Sequence, residues 1–415
     1  MGERLASMLG LPRTKRAHRA LIDGALAAFP EAPRHARDAL ARAIVAHRAW
    51  RALSASQLRV RRLIVEDPAM GESSLRVPPA RTVSELARLL DTTVEELEKL
   101  ADRRGMSRLA RTEAMRHHHV RLVPKAAGGH RVLEVPKSRL REMQRRVLHR
   151  ILTDVPAHPA ACGFVRRRSV IDYVTPHVGQ ALVVRVDLRD FFSSIGAARV
   201  GAVFRAFGYP DEVRRTLTTL TTVATPEGVL CGLPWSKRPR LRVPHLAQGA
   251  PTSPALANLV AYGLDVRLSA FADSIGARYG RYADDLVISG GPELVPRRDS
   301  IHATMVTIAR DEGFEPSFGK SRIRRAGERQ ELAGLVVNRH AAVPRRERER
   351  IEAILTNCVR LGPESQNRDG HPDFRAWLRG KIAWIAAACP RHAEKPLRLF
   401  AAIEWPKPAN VSIDG

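Results

Sequence analysis

The chain has 415 residues, 44% of them hydrophobic, which is too long for one ordinary domain and apolar enough for two or three with real cores. Lys and Arg number 69 against 43 Asp and Glu, a net charge of +26 carried mostly by Arg, and this points to a polyanionic partner, nucleic acid, rather than to a generic basic surface. Four scattered cysteines (Cys162, Cys231, Cys358, Cys389) exclude a zinc ribbon and a disulfide framework, and no segment approaches the ~20 apolar residues of a membrane span, so a soluble cytoplasmic protein is expected.

Residues 1–78 are rich in Ala, Arg and Leu, with apolar residues at helical spacing from Ala17 to Leu53 and breaks near Pro30 and Pro33. This predicts a helical extension with no assignable chemistry. Thr82-Val-Ser-Glu85 and Thr93-Val-Glu-Glu96 read as capping boxes opening two short helices. Their acidic outer faces argue against a DNA groove, so a plain helical hairpin is expected rather than a helix-turn-helix. His117-His118-His119 lacks a second ligand cluster of matching spacing and reads as a solvated or phosphate-facing basic turn. Two strands follow between Val120 and Val135, joined at Gly128-Gly129.

Ser138 to Leu152 has the pattern of a basic amphipathic helix, and Ala181 to Val186 that of a buried strand ending at Asp187. Gln248-Gly-Ala-Pro-Thr-Ser-Pro254 is a small-residue loop that launches a helix from Ala255 to Ala270. Two short strands flank Tyr282-Ala-Asp-Asp285 and put two carboxylates at a hairpin tip. A helix from about Pro296 to Glu312, a strand around Arg322 and a hairpin near Leu332 to Val337 come next, and from Arg345 the chain is basic and mostly helical. Trp377 and Trp384 lie at helical spacing and read as core. Interleaved strands, helices and hairpins make the middle α+β with an antiparallel sheet.

Adjacent acids repel, so a tight turn that displays Asp284 and Asp285 needs a cation, either a structural Arg or Lys or a divalent metal. A plain solvated turn is the competing reading of these residues alone. Asp187, at a strand end, would complete a two-metal site for phosphoryl transfer, and Mg²⁺ fits because it takes few carboxylates together with substrate phosphates. The Gln248-Gly249 loop, ahead of a helix start, suits contact with phosphates or a base pair.

In one order along the chain, these motifs resemble reverse transcriptases, and most closely the bacterial retron type. The matching stretches are Asp187-Leu-Arg-Asp-Phe-Phe-Ser-Ser-Ile195, Pro244-His-Leu-Ala-Gln-Gly-Ala-Pro-Thr-Ser-Pro-Ala-Leu-Ala-Asn258, Arg281-Tyr-Ala-Asp-Asp285, Gly313 to Arg322 and the primer-grip stretch Leu332-Ala-Gly-Leu-Val-Val-Asn338. Gly128 to Lys137 and Leu378-Arg-Gly-Lys-Ile-Ala-Trp384 match as well, so the resemblance spans about residues 80 to 402. It departs at Asp172-Tyr-Val-Thr-Pro-His177, where only the His of the family's Asn-Ala-x-x-His is kept, and at Leu332-Ala333-Gly334, where Val-Thr-Gly is usual.

The resemblance implies a right-hand polymerase, with N-terminal helices and fingers over 79–180, a palm with fingers elements over 181–340 and a basic helical thumb over 341–415, while the helical extension over 1–78 lies outside the match. It implies an RNA-directed DNA polymerase that copies a structured noncoding RNA into single-stranded DNA, with dNTPs as substrates and an effector protein as partner in defence against phage. Two Mg²⁺ ions, for which Mn²⁺ could substitute, would be held by Asp187, the Leu188 carbonyl, Asp284 and Asp285. Phe192 would be the steric gate against a 2′-OH, Gln248 and Gly249 would contact the nucleotide beside Asp190, and Lys320 would donate a proton or clamp pyrophosphate. Arg166 and Arg168 are implied triphosphate ligands, and Gly334, Arg345, Arg346, Arg379 and Lys381 implied contacts to primer or RNA. Group II intron enzymes are the first alternative, disfavoured because no zinc-like cluster is visible after residue 340; an RNA-binding scaffold without activity is the second, disfavoured because all three acids are present.

Overall fold

The computed structural model describes residues 68–406 apart from 104, 111 and 125–128, together with positions 20, 23, 24, 27 and 45–48. Most of the predicted N-terminal extension, and Gly128 of the expected hairpin turn, lie outside the described residues. The chain divides into two compact units, Met1–Met70 and Gly71–Gly415. Within the second, the Gly71 N–H donates to Gly208 O at 2.7 Å and the Tyr209 hydroxyl to Pro78 O at 2.8 Å.

Helices α1 (Val83–Leu89) and α2 (Val94–Ala101) form the expected hairpin. Each capping box is half made. The Thr82 and Thr93 hydroxyls accept from the N–H of Glu85 and Glu96 at 3.1 Å. The Glu85 carboxylate, however, accepts from the Arg81 N–H, and that of Glu96 from the Thr92 hydroxyl. Strands β1 (His118–Pro124) and β2 (His130–Pro136) pair antiparallel. The histidine run is therefore not a turn. His118 opens β1 and is buried, while its neighbour His119 meets Glu113 at 2.6 Å.

α3 (Ser138–Val147) buries Leu140, Met143 and Val147 and widens into a π turn through Leu152. α4 (Val170–Val174) leads to β3 (Leu182–Asp187), followed by α5 (Ala197–Ala206) and α6 (Asp211–Thr221), on which α1 and α2 pack. β4 (Thr222–Val223) pairs with β5 (His245–Leu246). The helix expected over Ala255–Ala270 is two, α7 (Ser253–Val260) and α8 (Tyr262–Ser274), because Ala261 leaves helical geometry at ψ 3°.

β6 (Arg278–Tyr282), β7 (Asp285–Gly290), β3 and β8 (Arg322–Arg325) form one antiparallel sheet in the order β6-β7-β3-β8, as expected for a palm. α8 packs on β6, and α9 (Arg298–Asp311) on β3. Strand alternation then sorts the side chains. Val184, Val186, Leu286 and Ile288 share one face, and each buried side chain contributes roughly 1.5–3 kcal/mol. Val183 and Val287 share the other face with Arg185, Asp187 and Asp285. They continue into a core with the β9 (Glu331–Leu332) to β10 (Leu335–Val336) hairpin and helices α10 (Arg345–Leu361) and α11 (Phe374–Ala388). α12 (Glu394–Ala401) closes this helical end. Trp377 and Trp384 pack against that core, as expected.

Candidate active site

Tyr282 and Asp285 are the last pair of the β6–β7 ladder, so Ala283 and Asp284 alone make the tip. Ala283 takes a φ of 57°. A left-handed alanine costs about 1–2 kcal/mol, offset here by the Arg281 Nη1 bond to Ala283 O at 3.1 Å. The β3–β7 register sets Asp187 directly across from Asp285, and the Leu188 N–H donates to Asp284 O at 2.8 Å. Three carboxylates thus meet where β3 and β7 end. The loop that follows α9 is pinned to the same place by the Ser317 N–H, which donates to Asp187 O at 2.7 Å.

Two cations answer the acids. Arg185 Nε lies 2.5 Å from Asp285 Oδ1, and Lys320 Nζ lies 3.1 and 3.2 Å from the two Asp187 oxygens. Burial drives the Asp285 carboxyl up to about 6, against the pull of Arg185 and helped by Asp284 and Asp187. Burial, and then the Asp187 charge, also raises Asp284. Three acids against two cations leave the cluster anionic. The Lys320 side chain is 62% exposed, so its ion pair is a loose tie that a stronger cation can displace. Carboxylate oxygens are hard donors of the kind that divalent cations take.

The cluster opens on a cleft of about 280 Å³. Leu188, Asp190, Phe192, Gln248, Asp284 and Lys320, all anticipated from sequence, line it. Asp187 and Asp285 do not; Asp187 meets Lys320, and Asp285 turns to Arg185. Gly249 follows Gln248 with φ 124°, and a Cβ there would lie 3.2 Å from Val135 Cγ2. Arg166 and Arg168 stand exposed outside the lining, and it is Phe164 from their loop that reaches in, 5.8 Å from the Phe192 ring. The basic lining comes from His130, Arg131, Lys237 and Arg240, none of which the sequence reading picked out. Arg131 sits inside the matched Gly128–Lys137 stretch and was findable there; Lys237 and Arg240 lie in a run with no motif spacing and are placed only by the fold.

Gly334, with φ 83°, turns the β9–β10 hairpin and lines a second cleft of about 230 Å³ with Glu347, Lys381 and Trp384. Lys381 is tied there to Glu347 at 3.0 Å, and Arg345 to Glu349 at 2.6 Å. Arg346 and Arg379 are exposed.

The support beneath the turn was not visible in sequence. Arg281, fully buried, makes a two-pronged ion pair with Asp265 at 2.7 Å on each arm, and also reaches Asn258 Oδ1 at 3.0 Å. Asn258 in turn donates to Gly163 O at 2.9 Å. A Cβ on Gly163 would lie 2.5 Å from Ala283 N, so only glycine lets this loop rest on the turn. Beneath Gln248, Glu134 pairs with His245 at 2.8 Å and accepts from Thr225 at 2.6 Å, all buried, while its N–H donates to Gln248 O at 3.0 Å.

His177 packs against Gly280 and meets the Ser289 hydroxyl at 2.7 Å. Burial lowers His177 and His118 to about 4. A folded pKa below the ordinary 6.5 means that the unfolded chain binds more protons between about 4 and 6.5, so this stability is present above 6.5 and lost as pH falls. Asp285, raised to about 6, works in the opposite sense, as do the raised Asp284 and His245.

The reverse transcriptase (RNA-dependent DNA polymerase) family matches residues 123–337. The retron Mx65 reverse transcriptase of Myxococcus xanthus is 36% identical over 356 residues, 84% of this chain and 78% of that one. The retron Mx162 enzyme of the same organism is 34% identical over 77% of this chain and 66% of its own length. The retron Ec86 enzyme of Escherichia coli is 31% identical over 64% of this chain and 79% of its own. Together with the antiparallel palm sheet and the acids at its tip, these matches establish that the chain belongs to the reverse transcriptase family of RNA-directed DNA polymerases, in its bacterial retron branch.

Proposed function

We propose that the chain copies a structured noncoding RNA, its cognate template and primer, into single-stranded DNA by two-metal-ion nucleotidyl transfer. The observation that supports this reading is the convergence of Asp284, Phe192, Gln248 and Lys320 on one cleft with Arg131, Lys237 and Arg240. Mg²⁺, or Mn²⁺ in its place, bound by Asp187, Asp284 and the Leu188 carbonyl with Asp285 assisting, would lower the pKa of the primer hydroxyl and neutralise the leaving pyrophosphate. Arg131, Lys237 and Arg240 receive the triphosphate of the dNTP. Lys320, once released from Asp187, is free to meet the pyrophosphate. The Gln248 loop, backed by Glu134 and His245, positions the incoming nucleotide. Gly334, Arg346 and Arg379 form the surface that tracks the primer duplex.

Phe192 excludes a ribose 2′-OH. Phe192→Val is expected to raise ribonucleotide use relative to dNTPs about 10- to 100-fold in kcat/KM, measured by single-nucleotide extension with dCTP against CTP. Sequencing the nucleic acid that copurifies tests the wider reading. A short DNA joined to one RNA species supports it; heterogeneous RNA without linked DNA overturns it. The retron kinship extends the proposal to phage defence with an effector protein. There the expected result is loss of protection from phage in cells carrying Asp284→Asn.

A further inference from the structure

We propose that the helical C-terminal region carries a second metal site, a structural Zn²⁺ bound by His340, Cys389 and His392, which clips the segment after the primer-grip hairpin to the turn between α11 and α12. Inspection of the sequence finds no zinc-like cluster after residue 340, because His340 lies far from Cys389-Pro-Arg-His392 along the chain. The fold overturns that expectation. One ligand atom from each of the three residues lies within 4.8 Å of the others. Tetrahedral zinc, with Zn–N near 2.0 Å and Zn–S near 2.3 Å, sets such donors about 3.3–3.6 Å apart, so side-chain shifts of about 1 Å would close the site.

The geometry has a local cause. Cys389 precedes a 3₁₀ turn over Pro390–Ala393, and with three residues per turn the side chains at 389 and 392 fall on one edge. The His392 N–H donates to Cys389 O at 3.0 Å and fixes the turn. Ala393 and Ile385 are buried in one cluster with Val337 and Val343, which bracket His340. The three ligands therefore sit on backbone that a shared core holds in place. The His340 and His392 rings lie 5.4 Å apart.

The donors also look for a partner. His392 Nδ1 is buried and has no hydrogen bond, a want that a metal bond would answer. Cys389 is a free thiol, half-buried. Two imidazoles and a thiolate suit zinc, and three protein ligands leave a fourth position for water.

Titrating the full-length wild-type protein, purified without a histidine tag, with Co²⁺ tests the site. The expected result is one equivalent of cobalt with the intense visible bands of a tetrahedral ion and a thiolate charge-transfer band, both displaced by Zn²⁺. Cys389→Ser should remove the thiolate band and the rise in Tm that Zn²⁺ gives the wild type. Asp187→Asn combined with Asp284→Asn should keep both signals, separating this site from the palm acids. Weak octahedral bands alone in the wild type, a thiolate band that survives Cys389→Ser, or a signal lost with the palm acids would each overturn the proposal. The wild-type spectrum decides even if a variant fails to fold.

Discussion

Asp284→Asn is expected to reduce primer extension on RNA by about 10³-fold or more, and Asp285→Asn by at least ~10-fold less. The two residues are adjacent, yet the fold gives them different work. Asp284 sits in the two-residue tip and lines the cleft, whereas Asp285 is drawn into the β7 ladder and bonded to Arg185. Removing the Asp284 carboxylate takes away the one of the three clustered acids that lines the cleft. Removing the Asp285 charge frees Arg185, which lessens the anionic surplus without emptying the cleft of donors. On the proposed metal binding, Asp187→Asn should match Asp284→Asn, and it should also release Lys320, whose ammonium pairs with Asp187. Single-turnover extension with saturating dNTP, alongside circular dichroism of each variant, separates lost chemistry from lost folding. Equal losses for Asp284→Asn and Asp285→Asn would refute this division of labour.

The strands and the acids were legible because short-range pattern dictates them. An apolar run ending in Asp187, and two runs flanking Asp284-Asp285, leave few ways to pair, and register then brings Asp187 opposite Asp285. Phe192, Gln248 and Lys320 were legible through family motifs rather than through spacing. What sequence missed was long-range. Arg185 reads as one more strand residue until the register sets it diagonal to Asp285. Lys237 and Arg240 reach the cleft from a segment with no motif. His118 looked like part of a basic turn because a run of three histidines hides the alternation of a strand. Arg166 and Arg168 stand exposed, outside the residues that line the cleft.

The buried ion pair beneath the turn carries the largest stability effect. Asp265→Ala is expected to lower stability by about 3–5 kcal/mol, because it strands the Arg281 guanidinium in a site with no exposure. Asp265 also accepts from the Tyr279 hydroxyl at 2.8 Å, so its loss leaves a second polar group unpaired. Asp265→Ala combined with Arg281→Met removes both charges and leaves an apolar filling of similar length. That double variant should recover most of the stability, since buried pairs contribute little net over well-packed apolar groups. It should not recover activity. Arg281 Nη1 holds Ala283 O and Asn258 together, and through Asn258 the Gly163 loop that rests on the turn. Without that donor the left-handed Ala283 has nothing to offset its conformation, and Asp284 loses its fixed position. Urea midpoints and primer extension for the single and double variants measure the two roles separately. Activity restored together with stability would mean that the pair only supports the fold; stability restored without activity would mean that Arg281 sets the shape of the catalytic turn.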